Sequence, residues 1–309
     1  MGQILVVIAP LFLIILGSAV MQKIMQLGEE WSRVLNDFAL RIGFPVLIFS
    51  ALVKTPFSFT QESGLIVANS LFILFSFALA LLIGRVFHLS TEIRRSLSIC
   101  FTFSNIAYLG IPVLVQISGP SVLTTASLIV AIYLFWIFTV GIGYLDYSIE
   151  KTKAAVAIFI LKNLSRNPLL YAVALGILVG SLRITLPDVL TKSMDMVTAS
   201  VTPTVLIVIG LFIGKSRIGR LKEWISILIF TVFTLMVLPG IFYCGVMLFG
   251  HDPARFSISI IQSAMPLAIT PFALADRYHL DKTFIVRSII LSTILSVISL
   301  PFWIALLMK

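Results

Sequence analysis

The sequence predicts an all-α integral membrane protein of ten transmembrane helices, and three observations predict it. Only 11% of the 309 residues are charged while 59% are apolar, for a mean hydropathy of +1.11. Long apolar runs recur along the whole chain, and the Lys and Arg residues between them alternate in density. A water-soluble domain carries about 25% charged residues, so this chain has too few to coat a water-facing surface.

The same composition excludes other classes. The net charge is +9, yet the basic residues are scattered between apolar runs and form no stripe with interleaved aromatics, which argues against nucleic acid as a partner. Cys100 and Cys244 lie far apart with no CxxC spacing, and His88, His251 and His279 fall at segment ends, so neither a metal site nor any other cofactor is expected.

A helix that crosses the hydrocarbon core needs about 20 apolar residues. Such runs fall at 3–21, 34–53, 65–84, 97–118, 122–145, 168–182, 194–214, 224–249, 256–275 and 283–307. No Lys or Arg precedes the first, and its Gly17-Ser18-Ala19 opens no cleavage context, so it reads as a retained helix rather than a signal peptide. The sixth is short, and the stretch Lys151 to Arg166 before it is amphipathic enough to lie along the membrane surface.

Loop charge sets the orientation. The connections between helices 1–2, 3–4, 5–6, 7–8 and 9–10 hold 16 of the 22 basic residues. The other connections and the termini hold only Lys54, Arg183, Lys192, Arg255 and Lys309, and Arg41 lies within a span. Short cytoplasmic loops carry the Lys/Arg excess, which puts both termini outside the cytoplasm in a cell inner or plasma membrane.

The two halves echo each other. A shift of 158 lays Asp37 on Asp195 and Pro45 on Pro203, and a shift of 159 lays Pro112 on Pro271. This offset divides the chain into two five-helix repeats, 1–150 and 151–309. Five is odd, so the second repeat is inverted in the membrane, an arrangement typical of secondary transporters with a midplane site.

The fourth helix reads Ser104-Asn105-Ile106-Ala107-Tyr108-Leu109-Gly110-Ile111-Pro112, and the ninth reads Gln262-Ser263-Ala264-Met265-Pro266-Leu267-Ala268-Ile269-Thr270-Pro271. Proline lacks an amide hydrogen and clashes with the preceding turn, so both helices are expected to break in mid-span. Freed backbone groups cannot face lipid. If the two broken helices cross, their half-helix N-termini form an anion site, with Asn105, Gln262, Ser263 and Thr270 as neutral hydrogen-bonding groups and Gly110, Pro112, Pro266 and Pro271 shaping the backbone. The plainer reading is two kinked structural helices.

Asp37 and Arg41 are the other candidates, at i,i+4 spacing on one helix face. They form either a proton- or substrate-coupling pair or a self-satisfied structural pair with Arg41 reaching to the surface; the structural reading is preferred. Asp195 reads as interfacial, as do Trp31, Trp224 and Trp303 near span ends, whereas Trp136 is expected to pack inside the fifth helix.

On these residues the sequence resembles the auxin efflux carrier family. The resemblance rests on Asn105 to Pro112 (NIAYLGIP), Met265 to Tyr278 (MPLAITPFALADRY), Arg166-Asn167-Pro168 and Gly210-Leu211-Phe212. It implies inverted repeats, a scaffold of helices 1, 2, 6 and 7, and a mobile transport unit of helices 3–5 and 8–10. It further implies broken helices 4 and 9 crossing at Pro112 and Pro271, Asn105 beside the substrate carboxylate, an elevator-like motion and a homodimer. Only about 20 residues separate helices 5 and 6, as in compact bacterial members. The resemblance to those members implies a small mono- or dicarboxylate such as malonate or malate rather than an auxin-like aromatic acid.

The expected function is therefore secondary or facilitative transport of a small organic anion, with H+ or Na+ as coupling ions to be tested. No GxxxxGK[ST] sequence supports ATP drive. No nucleophile with a base, paired acids or metal cluster supports an enzyme. A channel, or a receptor or sensor on the same fold, is the alternative.

Overall fold

The computed structural model describes residues 2–54, 59–150, 153–216 and 224–308. Lys151, Arg217, Arg220, Lys222 and Lys309, all used in the loop-charge reading, lie outside them. Among the described residues there is no strand, and helices form because apolar runs in lipid must satisfy their backbone groups internally. They are α1 (Gly2–Met25), α2 (Glu29–Lys54), α3 (Phe59–Val86), α4 (Thr91–Cys100), α5 (Ile106–Ser118), α6 (Pro120–Ser148) and α7 (Lys153–Leu164). After these come α8 (Pro168–Ser181), α9 (Asp188–Lys215), α10 (Trp224–Leu248), α11 (Ser257–Ser263), α12 (Thr270–Tyr278) and α13 (Lys282–Leu307).

Among the described residues, seven helical stretches are long and apolar enough to cross a membrane: α1, α2, Glu62–Val86 of α3, α6, α9, α10 and α13. Two more apolar helices, α5 and α8, are shorter. The chain is a multi-pass membrane protein. Side-chain caps mark several helix starts: Asn167 Oδ1 accepts from Leu169 N at 2.9 Å ahead of α8, and Asp281 Oδ1 accepts from Phe284 N at 2.9 Å ahead of α13.

Four π-helical stretches interrupt the α geometry among the described residues, at Ala39–Gly43, Ile106–Gly110, Ile137–Gly141 and Phe233–Val237. Three of them are followed two residues later by a proline: Pro45, Pro112 and Pro239. Each proline has no N–H to offer the carbonyl one turn back, and its ring crowds that carbonyl. The extra residue in the preceding π turn shifts the carbonyl register, so the helix runs on.

This corrects the expected break in the fourth helix. Gly110 and Pro112 do not interrupt it; helical geometry passes through both. The interruption lies upstream, between Cys100 and Ile106, in a stretch free of Gly and Pro.

The described contacts divide the chain into two compact units. The first holds Met1–Gly64, Ala107–Ala131 and Asn167–Arg217; the second holds Leu65–Ile106, Ile132–Arg166 and Ile218–Lys309. In the first unit α1 packs along α9, and α8 along the C-terminal half of α2. The α1–α9 approach is close because Gly210 and Gly214 face Ile15, Ser18, Ala19 and Gln22. A Cβ at Gly210 would collide with the Ile15 carbonyl oxygen and Ser18 Cβ, and one at Gly214 with the Ala19 carbonyl oxygen. This is small-xxx-small packing, in which dispersion and close backbone approach replace the absent hydrophobic drive.

In the second unit α13 packs on α10 and α11. Trp303, expected as an interfacial anchor, is instead buried at 4% exposure, and its indole N–H donates to the Leu235 carbonyl at 2.9 Å. The widened Phe233–Val237 turn supplies that carbonyl, which explains why a tryptophan near the chain end turns inward. Trp31 is exposed, and Trp136 is half-buried in α6.

Candidate functional site

Two non-helical stretches, one between α4 and α5 and one between α11 and α12, pair with each other inside the second unit. Ser104 and Leu267 form an isolated antiparallel bridge. Asn105 N donates to the Pro266 carbonyl at 2.7 Å, and Ala268 N donates to the Phe103 carbonyl at 2.9 Å. Proline at 266 cannot donate but can accept, so the residue that breaks one helix supplies the acceptor that holds the other stretch. Leu267 N, facing away from the bridge, is satisfied by Ser292 Oγ at 3.0 Å. Gln262, fully buried, donates from Nε2 to the Ile106 carbonyl at 3.2 Å. Much of the freed backbone of both breaks is thus met within the protein, as a lipid environment favours.

The sequence candidates divide accordingly. Asn105, Gln262, Ser263 and Pro266 come together at this crossing, all buried. Ser263 Oγ is turned to its own helix, donating to the Ile260 carbonyl at 2.7 Å. Thr270 and Pro271 open α12 directly after the break, with Thr270 exposed and Pro271 buried in the first turn, where a missing N–H costs nothing. Gly110 and Pro112 are buried in a segment that packs with the first unit. The pairing is centred on Ser104 and Leu267 rather than on Pro112 and Pro271.

Two helix N-termini and one buried amide meet at the crossing. The N-termini of α5 and α12 both start at the paired stretches, and each brings the positive end of a helix dipole there. Asn105 is only 5% exposed, and among the described residues its hydrogen bonding is through the backbone N–H to Pro266. A cavity of about 10 Å³, lined among others by Cys100, Ser104, Ser263 and Leu267, flanks the bridge. That is room for about one water.

Asp37 and Arg41 lie on α2 in the first unit, 3.6 Å apart, with side chains 49% and 74% exposed. Asp195, two turns into α9, pairs with Lys54 at 2.7 Å.

Ser292 and Tyr108 were not singled out by sequence. Ser288, Ser292, Ser296 and Ser299 form a buried stripe along α13, and this helical spacing of hydroxyls in an apolar run is the signal that would have found Ser292.

A family profile described as "Membrane transport protein" matches residues 3–304. The chain belongs to this family of transporters, the auxin efflux carrier family. Among its relatives is an uncharacterized transporter of Methanocaldococcus jannaschii, 25% identical over 283 residues, 90% of each chain. Another, from Methanothermobacter thermautotrophicus, is 25% identical over 311 residues, 98% of each chain. A protein of Rhizobium meliloti named "Putative malonate transporter" is 22% identical over 302 residues, 96% of this chain and 93% of its own. The family match spans both interrupted helices.

Proposed function

We propose that this transporter carries a small organic anion, a mono- or dicarboxylate of the malonate or malate kind, by elevator-like alternating access. In this reading the chain spans the cell membrane ten times as two inverted five-helix repeats. The α4–α5 and α11–α12 crossing holds the carboxylate, with Asn105 as its principal side-chain donor and Gln262, Ser263 and Thr270 nearby. The observation that carries the reading is the backbone pairing of two interrupted helices around a buried asparagine whose amide makes no side-chain hydrogen bond among the described residues. An anion there meets two helix N-termini and a neutral donor, so it is held without a fixed cation that would resist its release. The name of the Rhizobium relative favours malonate as the first acid to test.

Support for an elevator-like motion comes from the contact division, which keeps α1, α2, α8 and α9 in one unit and α3 from Leu65 onward, α10 and α13 in the other, while Ala107–Ala131 of α5 and α6 stays with the first. A homodimer and coupling to H+ or Na+ complete the reading.

Purified protein in liposomes, given radiolabelled malonate, malate and an indole-type acid under separately imposed proton and sodium gradients, tests it. A carrier saturates and shows counterflow of labelled acid. Flux that is linear in concentration and lacks counterflow would replace the carrier with a channel, and binding without flux would indicate a sensor.

A further inference from the structure

We propose that Tyr108 is a positioning residue that sets the turnover of this transporter, through a releasable bond between its phenol and Asn36. The inference rests on the transport reading above and adds a rate-setting residue to it. Three observations carry it. First, the division between the two units falls between Ile106 and Ala107, directly after the stretch that pairs with Pro266 to Ala268. Asn105 therefore belongs to one packing unit, and Tyr108, three residues on, belongs to the other. Second, the attachment of the Ala107–Ala131 segment to α2 is local and specific. Tyr108 Oη donates to Asn36 Oδ1 at 2.6 Å, the Tyr108 ring stacks on Phe44 at 5.3 Å between centroids, and Thr124 Oγ1 donates to the Ala51 carbonyl at 3.1 Å. Third, both partners of Tyr108 flank a π-helical stretch: Asn36 precedes Ala39–Gly43, and Phe44 follows it. Tyr108 itself sits in the π-helical Ile106–Gly110. π turns recur at functional sites because they admit a change of register that a regular α-helix resists.

A carboxylate bound at Asn105 would move with the stretch that pairs with Pro266. Either the Ile106–Gly110 turn takes up that displacement or the Tyr108–Asn36 bond opens. The bond is short but only part-buried, with a neutral acceptor, so it can form and break within a cycle at little cost in either direction. While closed, it holds the chain immediately after Asn105; while open, it leaves that chain free to follow the anion.

The test compares Tyr108→Phe, which keeps the ring stack and removes only the hydroxyl, with Asn36→Ala and the double variant. Counterflow of radiolabelled malonate in proteoliposomes is read alongside deuterium uptake of residues 106–118. A neutral hydrogen bond contributes about 0.5–1.5 kcal/mol net, so its loss is expected to raise the maximal exchange rate about two- to tenfold. KM is expected to stay within about twofold, deuterium uptake to rise, and the double variant to add nothing to either single one. A merely structural tyrosine would lower the rate and the yield of inserted protein together. A change in KM alone, an unchanged rate with unchanged uptake, or additive effects in the double variant overturns the proposal. If Tyr108→Phe fails to insert, Asn36→Ala decides on the same readouts. If the wild type moves none of the labelled acids, the transport reading fails; deuterium uptake then decides, with a rise in either variant supporting the bond as a latch and no rise overturning it.

Discussion

The two packing units solve the problem of folding in lipid with opposite chemistry. The first brings helices together on small residues: Gly210 and Gly214 let α9 touch the backbone of α1, and Gly176 lets α8 sit on Leu52 of α2. Among its described residues, buried polar side chains are few: Ser18, Gln22, Ser50 and Ser127. The second buries many more, among them Asn69, Asn105, Asp146, Gln262 and Ser292, and it contains both helix interruptions. Polar groups in a membrane interior are costly unless paired, so their concentration in one unit marks where backbone has been left open for something other than packing. The contrast teaches that a tight, apolar frame and a polar, interrupted one can be built from the same low-charge sequence, with glycine placement and hydroxyl placement as the two controls.

The sharpest way to break this comparison is to remove the close approach. Gly210→Leu puts a side chain where the Ile15 carbonyl and Ser18 already sit. Overpacking of this kind is expected to cost about 3 kcal/mol, seen as a large drop in the detergent melting temperature and in monodisperse yield. A stable, active Gly210→Leu protein would show that the α1–α9 contact is not what holds the first unit.

In the second unit the matching change should spare stability and remove function. Asn105→Ala deletes an amide that has no partner among the described residues, so little folding energy is at stake. A hydrogen bond to a charged ligand contributes about 1.5–3 kcal/mol, which corresponds to about a 10- to 100-fold loss in carboxylate uptake efficiency. Uptake per inserted molecule, normalised by membrane immunoblot, checks it. Unchanged uptake would remove Asn105 from the site and leave the crossing as a structural kink.

Ser292→Ala sharpens the same contrast from the supporting side. It strips Leu267 N of its acceptor in a fully buried position. An unsatisfied buried amide costs about 1–3 kcal/mol, and that cost should appear locally, as faster amide exchange across residues 264–269 and a raised KM, with a smaller shift in melting temperature than Gly210→Leu. Unchanged local exchange would mean that the bridge to Ser104 holds the break unaided.

Much of this arrangement was legible in the sequence. Apolar run length located the helices, because each helix satisfies its own backbone and needs no partner to be recognised. That the fourth and ninth runs are interrupted was also legible. The position of the fourth interruption was not, because Phe101 to Asn105 contains neither Gly nor Pro. What opens that stretch is pairing with Pro266 to Ala268, a tertiary effect from a residue some 160 positions away. Pro112 misled for the complementary reason: a π turn upstream absorbs its missing hydrogen bond, and no local propensity announces such a turn. Trp303 misled because nearness to a span end says nothing about which face of the helix it occupies. The glycine contacts were visible only as a GLFIG motif whose partner, α1, could not be named before the fold was known.

The smallest expected effect concerns the one ion pair that the sequence offered as a coupling device. Arg41 and Asp37 stand 3.6 Å apart, and both side chains are largely outside the packed interior, at 74% and 49% exposure. The bond is made by a single guanidinium nitrogen at the long end of the range. An exposed pair of this kind contributes about 0–1 kcal/mol, and i,i+4 spacing makes it available within α2 without any other element moving. A coupling residue must instead have its protonation tied to the position of the binding element, and here acid and base travel on one helix. Arg41→Gln should therefore leave the melting temperature within a degree or two, in keeping with about 1 kcal/mol or less, and leave the pH optimum of carboxylate uptake where it was. A displaced pH optimum would bring the first unit into the chemistry of transport and erase the division of labour between the two units.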